Sequence, residues 1–416
     1  MRLHLWCAAA LLLSSASAQE LKLEDLETQV RERNPEILAA QKKYEAARQR
    51  PSQAGSLPDP MFSPGWNSNG NPLPGAGLGR EVTSSIGFSV TQELPSPGKQ
   101  RLRATVARKE ADAQFSEYEA AELNVLSRLR QAFFRLQHYH AAREVLEHSR
   151  EILRSLLSIT EVRYSAGKAA QQDVFKAQLQ VSLIDTKIIQ LDRERHLREA
   201  EINSLLNLPS NTPLPKPAEP HLGPLPETLA DLQTAARERS PMRVRDQKMT
   251  ERAEMALRLA RKDYYPDYAV TGGYYNMGGL PPFYAFRADI KIPVYFRSKQ
   301  RAEVTEQAIA VQQARHTYEA TGLALDLRLA DDYSQADTAY QLAEAYQAKI
   351  LPQARLTVES SLSAYQTGGI EFLSVLNNQT AALDYEMEFH EQMLNYHLAI
   401  VRLEEATGMD LMSGGH

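Results

Sequence analysis

The sequence is short of the features that mark most enzymes and helical membrane transporters. It has one cysteine, Cys7, in 416 residues. Beyond the N-terminus it has no run of about 18–20 apolar residues, which excludes a bundle of membrane-spanning helices. Basic residues number 47 against 52 acidic ones, which argues against a nucleic-acid binder that neutralises phosphates. Walker loops, nucleophile elbows and H-E-x-x-H motifs are also absent from the sequence.

The ten histidines are the remaining candidates for metal binding, and their spacing argues against it. His138 and His140 lie two positions apart on a helix and point about 200° apart, so they cannot share one ion. His390 and His397 share a face, but about 10.5 Å of helix separates them, whereas bonds to zinc are about 2 Å long. We therefore predict no metal site, no cofactor and no enzymatic activity.

Residues 1–18 have the pattern of a secretory signal peptide. Arg2 supplies a positive start, Leu5–Leu13 forms an apolar core too short to span a bilayer, and small residues lead to a cleavage site after Ala18. Cleavage there removes Cys7, so the mature chain would have no disulfide and no thiolate site. Gln19 stands where a lipoprotein has its modified cysteine, so we expect export without a lipid anchor.

The chain contains an internal duplication. Leu23–Pro35 matches Leu229–Pro241 at eight of 13 positions, and three shorter matches follow in the same order at a spacing of about 200 residues. Seven prolines lie between the two halves and indicate an extended connector. The predicted divisions are a first repeat over 19–208, a connector over 209–228, a second repeat over 229–408 and a tail over 409–416.

Each repeat contains the same series of elements: a short helix, a second helix after a proline, a β-hairpin, a very long helix and a returning helix. Good helix formers dominate, and apolar residues recur at intervals of seven, as in Leu129/Leu136 and Leu376/Leu383, which is typical of coiled coils. We predict β-hairpins at about 60–93 and 267–293, and long helical hairpins at about 100–208 and 300–408.

The helix lengths indicate paired rods. The long helices, about Gln100–Tyr164 and Gln300–Tyr365, would each span roughly 100 Å. The returning helix and the helix before the β-hairpin, stacked end to end, would match that length. Gly322 and Pro352 are the only glycine and proline inside the two long helices. Each repeat therefore predicts two antiparallel rods, one unbroken and one in two pieces.

The β-hairpins alternate in polarity. In Phe286–Ile292 every second residue is apolar, and Ser85–Thr91 follows the same pattern, with partner strands at about Pro60–Asn67 and Asp267–Met277. Strands of about ten residues match tilted membrane-spanning strands, although a soluble hairpin packed on helices shows the same alternation. The predicted lipid-facing residues are Ile86, Phe88, Val90, Phe286, Ala288, Ile290 and Ile292.

Four strands cannot close a barrel, because the smallest transmembrane barrels need about eight. If these strands cross a membrane, several chains must combine their strands into one barrel in a symmetric oligomer. A dimer would have eight strands and a trimer twelve. The Gly- and Pro-rich segments Asn67–Arg80 and Asn276–Pro282 would be the loops, and the tyrosines near the strands with Trp66 would form interfacial girdles.

These features together resemble the TolC-like outer membrane efflux factors over essentially all of the mature chain. The resemblance implies a mainly α fold with a small β part, a homotrimer with a helical barrel and a shared twelve-stranded β-barrel in outer membrane lipid. It also implies a periplasmic membrane-fusion adaptor and an inner-membrane pump as partners. The motifs that carry it are Asn34-Pro35-Glu36, Leu57-Pro-Asp-Pro60, Leu94-Pro-Ser-Pro-Gly98-Lys99, Arg163-Tyr164-x-x-Gly167 and Tyr365-x-x-Gly368.

Within that family the compact length and the Leu-Pro-Asp-Pro and Pro-Gly-Lys stretches are most similar to the heavy-metal branch, the CzcC/CusC-like factors. This implies a pump of the resistance-nodulation-division type. CusC-like members carry a lipid on an N-terminal cysteine, which the expected mature chain lacks.

The resemblance also implies functional positions at two helical hairpin tips. The tip residues that would face the adaptor are Arg163, Tyr164, Gly167, Tyr365, Gly368 and Gly369. The positions where TolC has entrance carboxylates hold Ser374 and Asn377 here, which are uncharged. Glu371, one turn nearer the tip, and Asp173 in the first hairpin are the acidic candidates for lining the entrance.

We therefore predict an outer membrane channel of a Gram-negative bacterium with a long periplasmic extension. It would passively conduct substrates, heavy-metal cations first among them, from adaptor and pump to the exterior. A multidrug or type I secretion channel would have the same fold. A periplasmic coiled-coil adaptor would have one helical hairpin rather than two, and a secreted enzyme would need a convergent polar site that the sequence does not offer.

Overall fold

The computed structural model describes residues 20–218, 221–225 and 227–411. The predicted signal peptide and the last five residues of the predicted tail lie outside these ranges. The elements of the first half are α1 (Leu23–Arg33), α2 (Pro35–Ala47), α3 (Arg50–Gly55), β1 (Met61–Asn67), β2 (Ser85–Leu94), α4 (Lys99–Ser165) and α5 (Gln171–Leu205). Those of the second half are α6 (Leu229–Arg239), α7 (Pro241–Lys262), β3 (Asp267–Met277), β4 (Leu280–Lys291), α8 (Gln300–Ala345), a π-helical turn (Tyr346–Ile350), α9 (Leu351–Thr367) and α10 (Phe372–Thr407).

The helix boundaries follow local capping chemistry. The Asn34 side-chain oxygen accepts hydrogen bonds from the backbone N–H of Glu36 and Ile37, at 2.9 and 3.2 Å, and Pro35 occupies the first turn of α2. A proline is tolerated there because the first N–H groups of a helix have no partner inside it. At the start of α6, Thr228 and Asp231 form a reciprocal capping box. We had expected one continuous second helix in the first half. The structure instead divides it into α2 and α3 just before Pro51.

Helix α4 has 67 residues, a length of roughly 100 Å, and is the axis of the first half. It packs against α2 and α3 along one part and against α5 along another, so the broken rod is present, but in three helices rather than the two pieces predicted. It also contacts α7 and α10, which join it to the second half. In that half, α8 packs on α7 and α10, and α9 packs on α10. The helices therefore form one layer. Near the sheet their order is α2/α3–α4–α7–α8, and near the tips it is α5–α4–α10–α9.

The second long rod contains the π-helical turn, which the sequence did not predict. It ends at Ile350, two residues before Pro352, which lies in the first turn of α9. Proline has no N–H and its ring crowds the carbonyl four residues earlier, so a regular α-helix is strained at that point. A π-helical turn adds one residue and relieves this conflict without ending the helix. A Cβ at Gly322 would lie 2.6 Å from the Arg243 guanidinium, the mobile end of that side chain.

The four strands form one antiparallel sheet in the order β1-β2-β3-β4, with β2 and β3 joining the two halves. The second hairpin differs from the expectation, because residues 280–282 belong to strand β4 rather than to a loop. Met277 pairs with Leu280 across the two-residue turn Gly278–Gly279. Gly278 has φ +77°, which suits such a turn.

Three hydrophobic clusters hold the helices together: one of α4 with α1, α2 and α5, one at the hairpin tips, and one of α6 with α8 and α10. The proline-rich connector crosses the helices as an extended strap. The Leu21 N–H donates to the Lys216 carbonyl at 3.1 Å, and the Gln137 side chain donates to the Ala218 carbonyl at 2.6 Å. In the described ranges, every helix is either too short or too polar to cross a membrane. The predicted class, mainly α with a small β part, is confirmed.

Candidate functional site

Both helical hairpins turn at glycines in the left-handed conformation. Gly167 has φ +72° after α4, and Gly368 has φ +86° after α9. The N–H of Lys168 donates to the Arg163 carbonyl at 2.8 Å, and the N–H of Gly369 donates to the Ala364 carbonyl at 2.7 Å, which satisfies the last carbonyls of each helix. The structure therefore places the predicted tip residues at two tight helix-to-helix turns.

The two tips are joined side by side through Arg163 and Tyr365. The Arg163 guanidinium donates to the Tyr365 backbone carbonyl and lies 4.5 Å from the centre of the Tyr365 ring. The Tyr365 hydroxyl is 3.2 Å from the Thr160 hydroxyl, and its ring packs edge-on against Phe372. Tyr365 is only 2% exposed, so it holds the tip together from inside rather than forming part of its outer surface.

The outer surface of the tips consists of the other predicted residues. Tyr164 is 45% exposed, and Gly167, Gly368 and Gly369 are exposed as well. A partner that docks on the tips would therefore meet Tyr164 and the backbone of the two glycine turns.

The candidate entrance residues share the free face of α10. Glu371 is the N-terminal cap residue of α10, and it is exposed together with Ser374 and Asn377. Phe372, Val375 and Leu376 between them are buried against the hairpin core, whereas Leu373 is 48% exposed. Asp173 lies in the first turn of α5 and is half-buried. The spacing of three to four residues keeps the exposed side chains in one row, as a lining face requires.

The sheet has one apolar and one polar face. Directly paired residues of an antiparallel sheet lie on the same face, and Phe88 pairs with Tyr274, which pairs with Tyr284. The register extends this apolar face to the other residues of the predicted lipid-facing set within the strands: Ile86, Val90, Phe286, Ala288 and Ile290. Their exposure in one chain is large, reaching 80% for Phe286. Ile292 lies one residue beyond β4 and is 66% exposed.

Mostly small and polar residues occupy the opposite face, with Tyr275 and Phe283 at its loop end. The hydroxyls of Thr91 and Thr271 are 2.9 Å apart across β2 and β3, and Arg287 forms a 2.9 Å ion pair with Asp289 on β4. On this face the Tyr275 ring lies over Gly273, where a Cβ would come within 2.8 Å of the ring. One sheet face thus suits an apolar surrounding and the other suits water.

A buried lysine joins the sheet to the helices. Lys99 at the start of α4 forms ion pairs with Asp263 at 3.0 Å and with Asp267 at 2.9 Å, and its side chain is 3% exposed. Burial on its own lowers the pKa of Lys99, but the hydrogen bonds and charges of the two carboxylates outweigh it and raise the pKa. The lysine therefore stays charged and ties α4 to the end of α7 and the start of β3.

Several histidines meet at the middle of the helical layer. The Nδ1 of His138 is 3.2 Å from the His390 carbonyl oxygen, and His397 stacks on Phe134 with ring centres 4.5 Å apart. Burial lowers the pKa of all three histidines, that of His397 to about 4. Over the ranges that the structure describes, no three His, Cys, Asp or Glu side chains are grouped to hold a metal ion.

Comparison with known proteins identifies the family. The model of the family described as outer membrane efflux protein matches residues 26–208 and 233–409, which is most of the chain. The chain belongs to the outer membrane efflux protein family. The predicted resemblance and the outer membrane location are thereby confirmed. A family of efflux proteins also supports the prediction that the chain is not an enzyme.

Solved outer membrane channels share the fold of this efflux protein. The channel OprN is 15% identical with a TM-score of 0.79, over 94% of this chain and 90% of that chain. CusC is 16% identical with a TM-score of 0.79, over 94% and 93%. VceC of Vibrio cholerae is 17% identical with a TM-score of 0.78, over 94% and 96%. A search of curated proteins found no match.

The efflux-protein fold depends on contacts that the sequence did not reveal. Arg163 and Tyr365 are 202 positions apart, and only the folded chain brings the two tips together. Lys99 was noted as part of a motif, but its two carboxylate partners were not predicted. The shared Pro-Asp stretches at 58–59 and 266–267 were the available signal for Asp267, because a repeated acidic residue beside a strand suggests a repeated structural role.

Proposed function

We propose that this chain forms the outer membrane channel of a tripartite efflux system. Three copies would surround one passage, with a periplasmic adaptor at the tips and an inner-membrane pump of the resistance-nodulation-division type beyond it. The channel supplies no chemistry of its own. It offers a water-filled path whose entrance opens when the adaptor docks, and the pump supplies the energy.

The observation that carries this proposal is that the chain has two open edges along its whole length. In the sheet, β1 and β4 are the outer strands, each with one unpaired side. Near the sheet the outer helices are α2/α3 and α8, and near the tips they are α5 and α9. Because each edge needs a partner of the same kind, head-to-tail copies that close into a ring satisfy both edges at once.

The outer side of α5 supports such a ring. Its inner side packs on α4 through Val174, Ala177 and Ile184, whereas Phe175 and Leu179 on the opposite side are 58% and 57% exposed. Exposed apolar rows of this kind mark interaction surfaces. Three copies would give twelve strands, enough for a closed barrel with the apolar face in lipid and the polar face around water.

Cation export is the part of the proposal that concerns the substrate. The Leu-Pro-Asp-Pro and Pro-Gly-Lys stretches favour the heavy-metal branch, and CusC is among the channels with the same fold. OprN matches equally well, so the similarity of fold does not separate substrates. The row of Glu371, Ser374 and Asn377 gives the entrance polar side chains and a single carboxylate from α10.

The test combines location, assembly and substrate. The chain should be recovered in the outer membrane fraction, behave as a trimer in detergent and form channels in planar bilayers. Recovery as a monomer that is soluble without detergent would refute the channel. A deletion strain should become sensitive to one or more of zinc, cobalt, cadmium, nickel, copper and silver. Sensitivity to drugs alone, or loss of a secreted protein, would assign the multidrug or type I secretion alternative.

A further inference from the structure

We propose that the helix-side end of the sheet carries a binding site for anionic phospholipid headgroups of the periplasmic leaflet. The site is the basal segment, residues 291–303, together with the adjoining ends of α4 and α7. This inference rests on the proposed membrane-spanning role of the sheet, and it adds a lipid class and the residues that would bind it.

The basal segment begins with an exposed apolar run. Ile292, Val294 and Tyr295 are 66%, 65% and 75% exposed, and Phe296 is 47% exposed. The run follows β4 directly and continues the alternating apolar residues of that strand. Four large apolar side chains left in water at this point would be costly, whereas at the boundary of headgroups and acyl chains they would be stabilised, as aromatic residues are at membrane interfaces.

Cations are interleaved with this apolar run. Lys291, Arg297 and Arg301 are exposed, and no described carboxylate lies within 4 Å of any of them. The Arg297 guanidinium lies 5.9 Å from the centre of the Phe296 ring, so its charge is held beside the aromatic surface. An exposed cation next to exposed apolar groups is suited to a ligand that is anionic at one end and apolar at the other.

The excess of positive charge is local. Ten basic and two acidic residues fall within 99–103, 258–263 and 291–303, although the whole chain has an acidic excess. The two acidic residues are Asp263 and Glu303. Asp263, together with Asp267 at the start of β3, is paired with Lys99, which fixes the ends of α4, α7 and β3 next to one another. The neighbouring cations therefore keep a net positive field, and basic residues at a membrane surface attract anionic lipids by about 1 kcal/mol each.

A cleft gives the headgroup a place to bind. A cavity of about 380 Å³ opens between β4, the basal segment and α7, with Lys291, Lys299 and Tyr295 among its lining residues. Lys99, Asp263, Asp267 and Glu303 also line it, and the charge of Lys299 favours the ionised form of Glu303. The phosphate of a phospholipid can bind the two lysines while its acyl chains lie along Ile292 and Val294. A free phosphate would use the cations but not the apolar run.

The experiment uses the detergent-solubilised, delipidated trimer. Thermal stability is measured with mixed micelles that contain phosphatidylglycerol, phosphatidylethanolamine or phosphatidylcholine, and with inorganic phosphate alone. We compare the wild type with the triple variant Lys291→Gln/Arg297→Gln/Arg301→Gln. The matched control is Arg154→Gln/Lys168→Gln/Lys349→Gln, which removes three exposed cations elsewhere.

Phosphatidylglycerol should raise the melting temperature of the wild type and of the control more than phosphatidylcholine does. The triple variant should need roughly 100-fold more phosphatidylglycerol for the same shift, about five-fold for each charge removed. An equal response to the three lipids, or an unchanged response in the triple variant, would overturn the inference. An equal shift with inorganic phosphate would assign the site to free phosphate instead.

Two further measurements keep the outcome clear. The single variant Arg297→Gln gives the same test with a smaller effect if the triple variant does not assemble. Channel conductance is recorded on the same preparation. A trimer that conducts but shows no lipid preference contradicts this inference alone, whereas a chain that neither assembles nor conducts contradicts the proposed function.

Discussion

Glu371 and Asp173 stand at the beginning of the two helices that return from the tips. In a ring of three copies they would bring six carboxylates to the entrance. We expect Glu371→Gln/Asp173→Asn to lower the permeability ratio of potassium to chloride roughly two- to five-fold, because rings of carboxylates favour cations. Reversal potentials in planar bilayers measure the ratio. Glu161→Gln, an exposed charge on α4, is the control, and unchanged selectivity in the double variant would contradict the assignment.

His397 predicts a dependence of stability on pH. Its pKa is lowered by burial to about 4, below the ordinary value of 6.5. Between these values the unfolded chain binds a proton that the folded chain does not, so stability falls as the pH drops from about 6.5 to 4. The loss is about 3 kcal/mol for each chain. His221 on the strap is a second positive charge when protonated and acts in the same direction.

Unfolding free energies measured across this pH range test the role of His397. His397→Phe keeps a ring stacked on Phe134 and should reduce the slope, while the lowered pKa values of His138 and His390 keep part of it. His196→Phe makes the same exchange at a histidine with 68% side-chain exposure and is the matched control. A slope that is the same in wild type and His397→Phe would show that other groups cause the acid sensitivity.

At the scale of elements, the second tip turn depends on Gly368. Its φ of +86° is strained for any residue with a side chain, although a Cβ there would make only ordinary contacts, 3.6 Å from the Arg163 guanidinium. Gly368→Ala should therefore destabilise the hairpin by about 1 kcal/mol. Gly369→Ala is the matched control, because Gly369 does not have a left-handed φ and a Cβ there would make only ordinary contacts. Hydrogen exchange at the ends of α9 and α10 reports the difference, and equal exchange in both variants would contradict it.

The junction of sheet and helices depends on Lys99. Lys99→Met keeps the aliphatic stem but leaves Asp263 and Asp267 without their cation. We expect a loss of roughly 1–3 kcal/mol, at the lower end of values for buried pairs because both carboxylates are about one-third exposed. Lys42→Met is the control, since its pair with Glu45 is exposed and should contribute less than about 1 kcal/mol. Denaturant unfolding distinguishes the two, and equal losses would refute the structural role of Lys99.

Some elements could be predicted from the sequence because their signals are local. Asn34 before Pro35 marks the start of a helix, and alternation in Phe286–Ile292 gave both the strand and its apolar face. The beginning of β4 was missed because Pro281 and Pro282 suggested a loop. Consecutive N–H groups of a strand point to opposite sides, so the edge position of β4 explains only one of the two prolines. The other is tolerated because the register shift between Tyr275 and Met277 leaves residues 281 and 282 without pairing partners on β3.

Other features required the folded chain. The contact of Arg163 with Tyr365 joins residues from different repeats, and no spacing rule within one helix indicates it. The π-helical turn was missed for a different reason. The sequence showed Pro352. An internal proline can produce a kink, a break or an added residue in a helix. Packing on α10 decides among these outcomes.

At the scale of the whole molecule, the outer row of α5 tests assembly. Leu179→Glu places a charge on the side opposite to the α4 contact, where Leu179 is 57% exposed. A charge buried between copies should reduce the trimer in detergent to monomer, because an unpaired buried charge costs several kcal/mol. Gln178→Glu adds the same charge on the neighbouring exposed position. Light scattering gives the mass, and a trimeric Leu179→Glu would rule out α5 as a contact between copies.

The π-helical turn has a consequence for the phase of the second hairpin. One inserted residue rotates everything after it by about 100° around the helix axis. The side of α8 that packs on its neighbours is therefore not in line with the corresponding side of α9, although both helices belong to one continuous rod. The rod can keep α8 on α7 and still present α9 correctly to α10. The turn thus determines which side of α9 faces the hairpin core, where Val358 and Tyr365 are buried.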